Sequence, residues 1–334
     1  MAMRRGLWIV VLIALAWSAW WVAGARTKEA AIAGWFEARR AAGWAADYDS
    51  LGVAGFPLDF RTRMAGIVLA DTRAQLAWTL PELGIAAAAW RPTRVQLAFP
   101  PDQILATPRG EVAIGSTALI GELALNTGPM LALRQAELTA AELQIADPDG
   151  TVDFAAPYAR IARVAPDANR YAVTAGATSL HFDAEALRLI DPQGQRPATV
   201  DTLRLEMEVA FDAPLDRRTI EQARPAITGI ALNELAGVWG QLELRAAGRL
   251  AVDPAGRPEG LIQVKAVNWR EMVDQARAAG ALPERLARPV EQALGAMAGL
   301  AGSAETLDIP LSFRGGRVWL GLLPLGRAPR IVLR

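Results

Sequence analysis

The sequence predicts a mainly β protein of the α+β class: an N-terminal transmembrane helix, then a large curved antiparallel sheet with two C-terminal helices packed on it. Three observations predict it. Residues 6–25 are uncharged and mostly apolar, several later segments alternate apolar and polar residues with period two, and two stretches near the C-terminus return to helical spacing.

The first element is Gly6–Ala25, GLWIVVLIALAWSAWWVAGA. Twenty helical residues reach about 30 Å, the thickness of a bilayer core. Arg4 and Arg5 precede the run, Trp8 lies near one end, and Trp17, Trp20 and Trp21 lie near the other, as in interfacial aromatic belts. The positive-inside rule puts residues 1–5 in the cytoplasm and the rest beyond the inner membrane, although Arg26 and Lys28 on the far side oppose it weakly. Ala23-Gly24-Ala25 also has the form of a signal-peptidase site. The length of the apolar run favours an uncleaved anchor. Residues 26–46 read as a helical extension, with Ile32, Trp35, Phe36 and Ala38 on one face. It would stand the domain off the bilayer or, through Arg39 and Arg40, lie along lipid headgroups.

From residue 47 to 334 the chain reads as one extracytoplasmic β-rich domain, since no linker rich in Ser, Gly or charge interrupts it. The clearest strand is Thr202–Phe211, with Leu203, Leu205, Met207, Val209 and Phe211 on one face. Gln241–Val252 and Ile262/Val264/Ala266 repeat the scheme. Asp-Pro-x-Gly follows an apolar alternation three times, at Asp147–Gly150, Asp191–Gly194 and Asp253–Gly256, and predicts three hairpins of a meander. Leu69-Ala70-Asp71, Trp78 and Pro81 match Ile145-Ala146-Asp147, Phe154 and Pro157 at an offset of 76. This is either a duplicated strand-turn-strand unit or chance in an Ala-rich chain. Trp269–Ala279 and Glu284–Ala301 are the two helices; Gly280 caps the first and Pro283 opens the second.

Composition excludes several chemistries. The chain has no Cys and one His, which removes thiol nucleophiles, disulfides and thiolate metal sites, and nearly removes Ser/His and multi-His sites. Thirty-five basic and thirty-five acidic residues give a formal net charge of zero, so no electrostatic footprint for nucleic acid is left. Only Lys28 and Lys265 are lysines; the other 33 basic residues are arginines, in keeping with a GC-rich coding bias.

No catalytic set and no cofactor motif emerge. His181, Asp183 and Glu185 would share a strand face and could chelate a metal; the stronger alternative has Asp183 capping a short helix over Ala184–Ile190. Asp47-Tyr48-Asp49 reads as a turn into the sheet rather than paired carboxylates, Asp216-Arg217-Arg218 as a charged turn or helix start, and Gly295/Gly299 as close packing on the sheet. A sheet of ten or more strands curls and can leave an apolar trough, for which Leu58, Phe60, Trp78, Trp90, Leu97 and Phe99 are suitable linings.

The order Val53-Ala54-Gly55-Phe56-Pro57-Leu58-Asp59-Phe60, Leu76–Pro81, Trp90-Arg91-Pro92, Val95–Pro100, Ala106-Thr107-Pro108, Val267-Asn268-Trp269 and Gly315–Gly321 resembles the DUF2125 family of alphaproteobacterial envelope proteins. The opening V-A-G-F-P is also similar to the YdgA-like and AsmA-like groups, which pair one N-terminal membrane helix with long β-sheet. The resemblance implies a place in the envelope and brings no catalytic residues. In local terms Gly55 permits a bend, Pro57 suits a strand start or edge, and Phe56 is expected as a buried anchor. Two roles follow. One is a non-enzymatic, membrane-anchored protein that binds or shields a lipid or other amphiphile on the apolar sheet face. The other is an envelope scaffold or assembly factor that binds another protein through a sheet edge. Carboxylate-based hydrolysis stands third, with no sequence element pointing to it.

Overall fold

A computed structural model describes residues 2–166, 168–221, 224–280, 282, 284–301 and 306–332. The chain is mainly antiparallel β, with an N-terminal apolar helix and helices near its C-terminus, and it divides into two compact units, Met1–Ala124 and Leu125–Arg334. No break in composition marks the division.

The first unit begins with α1, Ala2–Ala41, which is long and apolar enough to cross a membrane. Its strands are β1 (Ala45–Asp47), β2 (Ser50–Ala54), β3 (Asp59–Asp71), β4 (Leu76–Ala88), β5 (Arg94–Ala98), β6 (Asp102–Thr107), β7 (Gly110–Thr117) and β8 (Ile120–Leu125). The long strands β3 and β4 pair along nearly their full length. Two short strands share each outer edge of this ribbon: β1 and β2 pair with β3, while β5 and β6 pair with opposite ends of β4. β8 then adds to β5 and β7 to β6.

The helix does not stand this sheet off. From Trp17 onward α1 lies on it. Trp21 and Ala25 pack with Phe60 and Ala89, and further along the helix Ile32, Trp35 and Phe36 pack with Ala46, Met64, Ile67 and Leu80. Two indole N–H groups fix the contact: Trp17 Nε1 donates to the Pro57 carbonyl and Trp21 Nε1 to the Asp59 carbonyl, both at 2.9 Å. The Trp21 ring stacks on Phe60 with centroids 5.5 Å apart. Gly24 permits the approach, because a Cβ there would meet Phe60 Cζ at 2.8 Å. By contrast Leu7, Trp8, Ile9, Val10, Leu12, Ile13 and Leu15 are exposed.

The expectation that Phe56 is a buried anchor is corrected. Phe56 is 53% exposed, in the β2–β3 turn that Gly55 (φ +104°) makes possible, and the buried anchor is Phe60, 3% exposed, at the start of β3.

The second unit holds β9 (Leu133–Thr139), β10 (Glu142–Asp147), β11 (Gly150–Ala155), β12 (Tyr158–Arg163), β13 (Arg170–Ala177), β14 (Ser179–Phe182), α2 (Ala184–Ile190), β15 (Thr199–Val200), β16 (Thr202–Phe211), α3 (Arg217–Glu221), β17 (Ile227–Trp239), β18 (Leu242–Val252), β19 (Pro258–Val267), α4 (Trp269–Ala278), α5 (Glu284–Ala301), β20 (Thr306–Arg314), β21 (Arg317–Leu320) and β22 (Leu323–Arg327). One ladder runs β9-β12-β13-β16-β17-β18-β19-β20-β21-β22, and a shorter one runs β10-β11-β14-β15. The period-two readings hold: β16 spans Thr202–Phe211 with Val209 and Phe211 buried, and β18 buries Leu242, Ala246 and Val252. Under β13 and β16, Tyr171 is fully buried against Val209 and Phe211, and its hydroxyl accepts the Leu215 N–H at 3.0 Å.

The two C-terminal helices sit where their spacing placed them. Trp269 of α4 and Val290, Leu294 and Ala298 of α5 pack on Ala266, Leu307 and Leu320 from β19–β21. Gly280 follows the last turn of α4 with positive φ, while the reading of Pro283 lies outside the described residues. Gly295 and Gly299 do not serve close packing, since a Cβ at either would meet nothing within 4 Å. The sheet-facing stripe of α5 is instead Val290, Leu294 and Ala298.

Of the three Asp-Pro-x-Gly turns, two close hairpins, β10–β11 and β18–β19. The third follows α2. Leu187 and Leu189 lie on a helix because Asp183 nucleates one, and Asp191 is its C-cap. The two similar segments at offset 76 both form strand-turn-strand units in different register: Trp78 pairs with Leu69, whereas Phe154 pairs with Leu143.

Candidate functional site

A concavity lies in the second unit, between α4 and the strands beneath it. It is an open pocket of about 390 Å³, within the range of small-ligand sites. The floor is Val200 of β15, Val238 and Trp239 of β17, and Leu242 and Leu244 of β18; Met272, Ala276 and Ala279 form the opposite wall, and Ile190 closes one end. The geometry follows from two periodicities. Leu242 and Leu244 are two apart on a strand and share a face, while Met272, Ala276 and Ala279 are four and three apart and share a helical stripe. The small side chains at 276 and 279 leave the space that a larger pair would fill.

Gln275 is the one polar side chain in the lining, and its groups are engaged. Nε2 donates to the Ile190 carbonyl at 2.5 Å, and Oε1 accepts from Arg196 Nε at 3.4 Å. Arg196, whose side chain is 10% exposed, also pairs with Glu271 at 2.6 Å, and its backbone N–H reaches Asp191 Oδ2 at 2.7 Å. The segment after α2 is thereby strapped to α4. Trp239 Nε1 donates to the Pro197 carbonyl at 2.8 Å, which leaves the indole face for the pocket. What remains is an apolar surface with no free charge: it can hold a hydrocarbon chain and offers no group for proton transfer.

The six apolar residues proposed as a trough lining are placed in four settings within the first unit. Phe60 is buried under Trp21 of α1. Trp78 and Phe99 pack partly buried on the Phe36 cluster, with the Trp78 indole donating to Gln103 Oε1 at 3.2 Å. Leu97 is half-buried on β5. Leu58 and Trp90 are 57% and 58% exposed, on neighbouring turns joined by the Ala89 N–H to Leu58 carbonyl bond. Much of the apolar face on which a trough was expected is thus occupied by α1.

His181, Asp183 and Glu185 are not gathered around a common point. Asp183 caps α2, its Oδ1 accepting the Glu185 and Ala186 N–H groups at 3.0 and 2.8 Å and its Oδ2 the Thr151 N–H at 2.9 Å. These donors, Ala186 first, hold its carboxyl below the usual carboxylate range. The His181 ring contacts Thr199 Oγ1. Among the described residues no group of three or more His, Cys, Asp or Glu is placed to hold a metal ion. Asp47 and Asp49 lie at the β1–β2 turn, and the Asp49 N–H bonds the Ala65 carbonyl. Asp216 precedes α3 and pairs with Arg218 at 2.6 Å, an interaction that lowers its carboxyl from the ordinary value.

The pocket went unread in the sequence, although its parts were visible as the apolar face of β18 and the Met272/Ala276 stripe of α4. Which strands α4 covers is a tertiary fact.

An apolar N-terminal helix followed by antiparallel sheet, with an apolar pocket under a C-terminal helix, defines a β-rich protein suited to membrane anchoring. The chain belongs to DUF2125, described as an uncharacterized protein conserved in bacteria, whose family model matches residues 21–329. No curated protein and no solved structure matches it.

Proposed function

We propose that this is a non-enzymatic, membrane-anchored envelope protein that holds the hydrocarbon chain of a lipid or other amphiphile in the pocket between α4 and β15, β17 and β18. The observation that carries the reading is the lining itself, apolar apart from one Gln whose amide is already bonded. Arg4 and Arg5, just before the apolar run of α1, support an orientation with the bulk of the chain outside the cytoplasm, bacterial in the family's sense and periplasmic in this reading. The likeness of Val53–Pro57 to the YdgA-like and AsmA-like groups fits the same role. The scaffold alternative needs an edge strand free to pair. β22, which pairs only with β21 among the described residues, carries Pro324 and Gly326, residues that discourage strand addition.

The test is lipid extraction and mass spectrometry on the full chain purified in amphipol, compared with Ala276→Phe. The added ring fills the pocket from α4. The expected result is an amphiphile that co-purifies with the wild type and is lost from a variant of unchanged melting temperature. Equal lipid content in both proteins would refute the pocket as the binding site.

A further inference from the structure

The apolar run of α1 has to do two things at once. A bilayer core of about 30 Å needs about 20 residues of helix, which Gly6–Ala25 supplies only if its second half lies within the membrane. That second half is the part docked on the sheet, through Trp17, Trp21, Gly24 and Ala25. The exposed stretch before it, Leu7–Ala16, reaches only about 15 Å at 1.5 Å per residue. Both demands are met if the end of the sheet enters the membrane alongside the helix.

We propose that the β2–β3 turn (Gly55–Leu58) and the β4–β5 turn around Trp90 form a lipid-inserting tip, immersed in the bilayer that α1 crosses; the proposal rests on that membrane reading of α1. The tip is built for such an environment. Phe56, Leu58 and Trp90 are all more than half exposed, beside the exposed faces of Trp20 and Val22. Phe56 contacts Trp21 edge-on at 5.5 Å, and Trp20 lies 5.9 Å from Phe60, so the turns and the helix form one continuous apolar surface. Irregular backbone is tolerated in lipid only where its polar groups are satisfied. Here the Gly55 carbonyl accepts from Asp59, Pro57 from the Trp17 indole, Leu58 from Ala89 and Asp59 from the Trp21 indole, and Pro57 brings no N–H. Exposed Arg26, Arg61, Arg91 and Arg94 lie on these same elements, with stems long enough to reach phosphate headgroups.

The absence of native Cys makes the test direct. Four single-cysteine variants of the full chain, Leu12→Cys, Leu58→Cys, Trp90→Cys and Ala74→Cys, are labelled with an environment-sensitive fluorophore. They are then reconstituted into phosphatidylcholine/phosphatidylglycerol vesicles with and without doxyl-labelled lipid. Ala74 lies in the turn at the far end of β3, roughly 40 Å along the strand. The expected result is loss of fluorescence to the doxyl lipid at positions 12, 58 and 90 and none at 74. Quenching at 12 with 58 and 90 as bright as 74 overturns the tip while leaving the anchor standing. No quenching at 12 removes the membrane reading of α1 and the tip with it.

Discussion

Gly24→Leu tests whether α1 is docked on the sheet, because the two possible arrangements give opposite signs. In an undocked helix the substitution is favourable by about 0.8 kcal/mol, since Leu is a far better helix former than Gly. In the docked arrangement even the first added atom would sit 2.8 Å from Phe60 Cζ, well inside contact distance. Phe60 has no room to yield: it is 3% exposed, stacked on Trp21, bounded by Trp20 at 5.9 Å and overlain by the Lys28 ammonium at 5.2 Å. Overpacking of this kind costs about 1–3 kcal/mol, and four added carbon atoms place Leu at the upper end. The net expectation is a loss of about 2 kcal/mol, several degrees in melting temperature. The assay is thermal unfolding of the full chain in mild detergent, followed by near-ultraviolet circular dichroism. Phe60→Leu and the double variant complete a cycle. Because the clash is with Phe60, the double variant should lose less than the two single losses added together. A rise in melting temperature for Gly24→Leu, or strict additivity with Phe60→Leu, refutes the docking.

Two further outcomes follow from the second unit. Tyr171→Phe leaves the partly buried Leu215 N–H without its 3.0 Å acceptor and should cost about 1 kcal/mol in urea unfolding, with the strand content unchanged by far-ultraviolet circular dichroism; no change would mean that the hydroxyl is dispensable. Asp183 and Asp253 have carboxyls held below their usual range, each chiefly by backbone N–H groups, of Ala186 and Arg257 respectively. A folded-state pKa below the unfolded one contributes stability that is present above about pH 3.9 and lost as the pH falls through the depressed value. Asp183→Asn should therefore destabilise at pH 7 and flatten the acid limb, measured by denaturant unfolding from about pH 7 down to about pH 2; an acid limb identical to the wild type would refute the assignment.

Much of the β architecture was legible because the signals are local. In β16 Leu203, Leu205, Met207, Val209 and Phe211 stand two apart, and Leu242/Leu244/Ala246 of β18 and Ile262/Val264/Ala266 of β19 keep the same spacing. Asp183, directly before Ala184, announces α2 through a side chain that must satisfy helix-end N–H groups. The docking of α1 was not legible for a physical reason. A helix that is apolar on every side has no amphipathic direction, so Trp17 and Trp21 read equally well as a lipid belt and as a sheet-binding stripe. The pocket was hidden differently. Leu242 and Leu244 were visible as one strand face and Met272 and Ala276 as one helix face, but nothing in their spacing states that the small residues of α4 stop short of the strands. Phe56 and Phe60 show the same limit at closer range: in a G-F-P-L-D-F run either ring could be the anchor, and the choice was made by which one lies under Trp21.

From β16 onward every strand of the long ladder pairs with the one that follows it, through β22. Pairing between sequence neighbours requires only short loop closures, which keeps the entropy of each step small. The exceptions are the β16–β17 pair, whose connection carries α3, and the β19–β20 pair, which encloses α4 and α5. A chain delivered N-terminus first can therefore lay down β16 to β19 one strand at a time on an edge already formed. It must then wait for both helices to emerge before β20 can add. The wall of the pocket is made in that pause, so the concavity is completed by the same event that lets the last three strands assemble.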